Sequence, residues 1–141
     1  EGDGCAMPQF DDAAFDIAHS NSVIEHVGSY SRMIDFAAET RRVGRAYYVQ
    51  TPYLWFPLEP HYAVPFLHWL PDAHRIWLFS RFDLGYAKRL SYTDAMRKID
   101  HVRIVDKPLM RALFPDGELV RERFMLMTKS LASVRRPQAA A

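Results

Sequence analysis

The sequence predicts an α/β fold, from three consecutive stretches and one closing pattern. "AFDIAHS" (14–20) reads as a short strand, "YSRMIDFAAETRRV" (30–43) as an amphipathic helix and "RAYYVQT" (45–51) as a second strand. Strand, helix and strand in that order form a right-handed crossover between parallel strands. The closing run, "ELVRERFMLMTKSLASVRR", reads as two further strands at about 118–124 and 128–135, turning near Met125–Met127. Neighbours so close in sequence pair antiparallel.

The first strand follows the turn signal Asp11-Asp12 and ends on Ser20-Asn21-Ser22, small polar residues of the kind that close a strand. Phe15, Ile17 and His19 share one face, and Asp16 and Ala18 the other. A short helical turn through "SVIEHV" ends at Gly28. In the helix, Met33, Ile34, Ala37 and Ala38 recur at helical spacing. Ser29 or Ser31 can cap its start, and Gly44 suits a left-handed position past its end. Arg41 and Arg42 complement the dipole of its last turn. Pro52 ends the second strand.

Residues 52–100 differ in character. "PYLWFPLEPHYAVPFLHWLP" is rich in proline and aromatics, and proline interrupts regular elements. The region reads as a loop with one or two short helices, and another near 92–98. It is too long and apolar for a plain connector, which suggests a lid or insertion over a ligand site. Asp106 then caps a short helix with Pro108 in its first turn. The division is therefore one domain portion over 1–136, with an insertion at about 52–100, and a flexible tail at 137–141.

Composition excludes several classes. The 141 residues are 49% hydrophobic and 25% charged, a globular balance. A formal net charge of +1 supplies no field for nucleic acid. Cys5 is the only cysteine, so an internal disulfide is impossible; this fits a cytoplasmic setting. No apolar run reaches the roughly 18–20 residues of a transmembrane helix. H-E-x-x-H, paired Cys-His spacing and a G-x-S-x-G elbow are absent.

"GDGCAMPQFDDAAFDIAHSNSVIEHV" resembles the second half of the class I S-adenosylmethionine-dependent methyltransferase domain. The matching features are Gly2-Asp3-Gly4-Cys5-Ala6-Met7-Pro8, then Asp12, then Phe15-Asp16. "ELVRERFMLMTKSLASVRR" resembles that family's final strand pair. The resemblance implies a partial Rossmann-like sheet lacking its first strands, with a C-terminal antiparallel pair. The family's Gly-rich loop and ribose-binding acidic residue have no counterpart here. The expectation is therefore that the chain is the C-terminal portion of a larger domain, transferring methyl from S-adenosylmethionine to a small molecule. An apolar or lipid-like acceptor would suit the aromatic insertion. The other expectation is a non-catalytic remnant or interaction module that binds no cofactor. Either form would leave the 15–20 strand at an open edge, inviting self-association.

Site residues follow from the resemblance. Asp3 matches the carboxylate that accepts from the adenine amino group, with Gly4 and Cys5 at the adenine edge; otherwise Asp3 is a turn former. Ser20, Asn21 and Ser22 lie at the strand tip beneath the cofactor, or cap the next turn. His26 is the candidate catalytic base, since histidine titrates near neutrality; the alternative is a packed helix histidine. Glu25-His26 resembles the Glu-His of quinone-biosynthesis O-methyltransferases, where a Glu three residues before that Glu completes a metal site. Ser22 stands there instead, so no metal site is expected. Glu59, His61 and His68 fall in the insertion as substrate wall or satellite cluster.

Overall fold

The structure is a computed structural model, and it describes residues 2–137. The tail expected over 137–141 lies, beyond Pro137, outside the described residues, as does Glu1. Strand β1 (Phe15–Asn21), helix α1 (Tyr30–Val43) and strand β2 (Gly44–Pro52) come first. The insertion holds a two-residue hairpin, β3 (Leu58–Glu59) and β4 (Val64–Pro65), then α2 (Asp72–Arg81) and α3 (Tyr92–Asp100). Helix α4 (Lys107–Leu113) and strands β5 (Glu118–Phe124) and β6 (Met127–Arg135) close the chain.

One sheet has the order β1-β2-β6-β5. β1 runs parallel to β2, while β6 is antiparallel to both β2 and β5. This is the partial sheet expected from the sequence, with β1 at an edge. Alternation sorts its residues to two faces. Tyr47, Val49 and Leu131 point into a core with Met33, Phe36 and Ala37 of α1 and Met110, Leu113 and Phe114 nearby. Ser29 caps α1 by accepting from the Arg32 N–H, and Asp106 caps α4 by accepting from the Leu109 N–H. The opposite face carries Ile17, Tyr48 and Val120, all exposed. The strand that read as a core element is thus half open, because Phe15 and Ile17 belong to this second face.

One local expectation is corrected. Gly44 is not left-handed; its φ is −96° and it opens β2 directly. Its missing side chain matters sterically, since a Cβ there would lie 2.6 Å from the Ala46 carbonyl oxygen and 2.8 Å from the Ala18 Cβ. The insertion holds the helices expected of it, α3 covering the predicted 92–98, and adds a hairpin. Tyr62, Leu67, Phe79, Ala95 and Ile99 form a second buried cluster between its hairpin and helices. His68 Nε2 and Trp69 Nε1 both donate to the Leu54 carbonyl, at 2.8 and 2.6 Å, so these two anchor the insertion. Among the described residues, no helix is long and apolar enough to cross a membrane.

Candidate functional site

The carboxyl ends of parallel strands are where open α/β sheets place their ligands. Here those ends are Asn21 of β1 and Pro52 of β2. Ser22, just past the tip, adopts φ 54°, and its N–H donates to the Gln50 carbonyl at 3.0 Å. A non-glycine residue in that region marks a backbone held by its surroundings. Ser20 is buried with its hydroxyl unpartnered, while Asn21 and Ser22 are exposed.

A cleft of about 640 Å³ opens here on the uncovered sheet face. Tyr48 and Gln50 form its floor, and Phe56, Leu58 and Pro60 of the insertion form its wall. A depression of about 830 Å³ lies at the opposite end of the strands, beside Arg41, Gly44 and Arg135. Asp116 occupies these guanidinium groups, pairing with Arg41 at 2.7 Å and Arg135 at 2.8 Å, and this is the amino end of the parallel strands β1 and β2.

The loop carrying Asp3, Gly4 and Cys5 packs on the start of α1. Arg32 donates to both Asp3 carboxylate oxygens, at 2.9 and 2.8 Å, and the Cys5 N–H donates to Oδ1 at 3.0 Å. These donors hold the Asp3 carboxyl below its ordinary range, the Cys5 amide first and Arg32 second. The Cys5 thiol is buried, which pushes its pKa up. Arg32 also donates to the Val27 carbonyl at 3.5 Å, linking this loop to the segment beyond the strand tip. Sequence reasoning missed Arg32, which looked like an ordinary polar helix position.

A 3₁₀ turn (Ile24–His26) follows the tip and buries Glu25 completely while leaving His26 exposed. Thr51 of β2 donates to Glu25 Oε2 at 2.9 Å; Glu25 Oε1 is buried and has no partner. From the insertion, His61 brings its Nε2 to 3.2 Å from His26 Nε2. Its Nδ1 lies 2.7 Å from Oε1 of buried Glu59, whose other oxygen accepts from the Tyr62 N–H at 2.7 Å. Donor atoms of Glu25, His26 and His61 all lie within 4.8 Å of one another. The sequence singled out both histidines but did not join them. The only signal was Glu59-x-His61 in a proline-framed turn, and 35 residues separate the rings.

No protein-family model matches the chain, and no curated protein matches it in sequence. Solved structures share its fold, among them the following. An S-adenosylmethionine-dependent methyltransferase from Methanosarcina mazei aligns with TM-score 0.56 and 13% identity, over 94% of this chain and 62% of its own. A protein assigned as a Zn-dependent alcohol dehydrogenase from Rhodobacter sphaeroides aligns with TM-score 0.53 and 10% identity, over 98% and 64%. The chain thus spans less than two thirds of either relative. At these identities the likeness establishes the architecture: a partial methyltransferase-like α/β sheet.

Proposed function

We propose that the chain is the C-terminal portion of a larger domain that transfers methyl from S-adenosylmethionine to a small-molecule acceptor. The observation that carries this reading is the cleft at the β1 and β2 tips, on a sheet whose order and uncovered face suit a domain completed by further strands and helices.

The residues present fit one end of the cofactor. Asp3 accepts three hydrogen bonds but retains acceptor capacity, because a carboxylate offers about four lone-pair sites. It would take the adenine amino group, with Gly4 and Cys5 beside the ring. Ser20, Asn21 and Ser22 would border the sulfonium end. The bound cofactor supplies the methyl group. This chain's residues would hold the acceptor in line and exclude water, which accounts for much of the rate in such transfers. Tyr48, Phe56 and Leu58 favour an acceptor with an apolar body. His26, at the same edge, would receive the acceptor's proton directly or through His61.

The test uses the chain extended to its gene's own start, incubated with methyl-labelled S-adenosylmethionine and fractionated small molecules. Label should pass to a small molecule, and Tyr48→Lys should suppress transfer while leaving cofactor binding intact. Absence of both binding and transfer would favour the non-catalytic interaction module.

A further inference from the structure

Three donor groups from two distant segments converge beyond the strand tips, and one of them is a buried carboxylate with one oxygen unpartnered. Glu25 is fully buried; Thr51 satisfies Oε2, and Oε1 meets no donor. Leaving such an oxygen unpaired is costly. His26 and His61 supply nitrogens within 4.8 Å of a Glu25 oxygen.

Nδ1 of His61 lies 2.7 Å from Oε1 of Glu59, which leaves Nε2 as the ring nitrogen facing His26. His61 Nε2 faces His26 Nε2 at 3.2 Å, a separation that a proton shared between the rings or a cation held by both would satisfy. Nitrogens bound to a tetrahedral zinc ion at ~2.0–2.1 Å are roughly 3.3–3.4 Å apart, so the pair already has the spacing of two ligands. A carboxylate behind a ligand histidine, as Glu59 stands behind His61, is the usual support for a metal-bound imidazole.

We propose that Glu25, His26 and His61 bind one divalent first-row transition ion of the zinc class. Two imidazoles and one carboxylate select such an ion over magnesium or calcium, which take oxygen ligands. Glu25 Oε1 gains its missing partner, and Thr51 orients the carboxylate. Closing the gap from 4.8 Å to ligand spacing takes a movement of at most roughly 1.5 Å. With three protein ligands, a tetrahedral ion keeps its fourth position for water or a substrate oxygen. Ser22, where the resembling enzymes have their first carboxylate, takes no part; His61 of the insertion replaces it. A metal-bound His26 is a ligand and not a free base, so metal binding would replace the proton-accepting role given to His26 above, while the cofactor and acceptor parts of that reading do not depend on the metal.

The test is calorimetric titration of chelator-treated protein with Zn²⁺, with a parallel Co²⁺ titration followed by visible absorption. One equivalent of Zn²⁺ should bind, and Co²⁺ should give the intense band of a four- or five-coordinate ion. His26→Ala and His61→Ala, both surface-reaching changes, should each weaken binding about tenfold or more, and Glu59→Gln by about 10–100-fold. Ser22→Ala and His19→Ala should leave it unchanged. Circular dichroism of each variant separates ligand loss from unfolding, which matters most for Glu25→Gln. Failure to bind one equivalent, binding indifferent to His26→Ala and His61→Ala, or equal competition by Mg²⁺ would overturn the site.

Discussion

Tyr47 and Tyr48 are adjacent on one strand and live in opposite environments. Tyr47 is 0% exposed. Its hydroxyl donates to Asp116 at 3.0 Å, and the Arg135 guanidinium lies over its ring. Burial, with the Asp116 hydrogen bond second, pushes its phenol up to about 12. Tyr48 is 38% exposed and stacks on His19 with centroids 5.5 Å apart. The same contrast runs through the sheet: one face is sealed by α1 and α4, while the other presents Ile17, Tyr48 and Val120 to solvent. A sheet with apolar groups on both faces is made to be covered on both. The difference shows which surface supports the fold and which one is available to a ligand or to the rest of a domain.

The largest effect should separate the two tyrosines. Tyr47→Ala should lower unfolding free energy by about 3–5 kcal/mol, the usual cost of removing a buried aromatic. Tyr48→Ala should stay within about 0.5–1 kcal/mol. Urea denaturation of both variants checks this; equal losses would mean that the open face is structural after all.

Next in size is the seam between α1 and β2. Gly44→Ala introduces a Cβ too close to the Ala46 carbonyl and to Ala18. It should cost about 1–3 kcal/mol through overpacking, measured as a fall in the urea midpoint at unchanged slope. An unchanged midpoint would show that β1 and β2 yield locally.

A pH effect comes third. Arg42, then the Met7 N–H, hold the Glu39 carboxyl down at about 2, against 4.5 in the unfolded chain. Because the folded pKa is depressed, this contribution is complete above pH 4.5 and is lost as pH falls from there towards 2. Glu39→Gln should flatten that limb of the stability curve and leave the neutral limb less stable. A limb of unchanged steepness would assign the acid sensitivity to other carboxylates.

The smallest effect on stability should accompany a clear effect on association. Ile17→Ser, on the open face, should move the urea midpoint little and reduce self-association in light scattering. A monodisperse monomer before the change would show that the exposed face does not drive association.

The sheet was legible because its signals are local. The alternation in 14–20 and 45–51, the helical spacing in 30–43 and the caps at Ser29 and Asp106 each lie within one element. The sheet order was not local: the resemblance implied a closing antiparallel pair, and the fold places β6 rather than β5 against β2. The insertion was less legible. A two-residue hairpin is shorter than any periodicity, and the contacts of Tyr62 with Phe79 and of His61 with His26 cross 17 and 35 residues. The candidate site was partly legible for the same reason: Asp3, Ser22 and His26 were singled out as candidates from sequence, whereas the pairing of Arg32 with Asp3, of Thr51 with Glu25 and of His61 with His26 required the fold.

The central claim, that this chain carries part of an S-adenosylmethionine site, is tested most directly by calorimetric titration with that cofactor. The 141-residue chain and the chain extended to its gene's own start are compared side by side. The account predicts weak or undetectable binding by the short chain and firm binding by the extended one. In the extended protein, Asp3→Ala should weaken that binding. Tight binding by the short chain, or none by either, would contradict it.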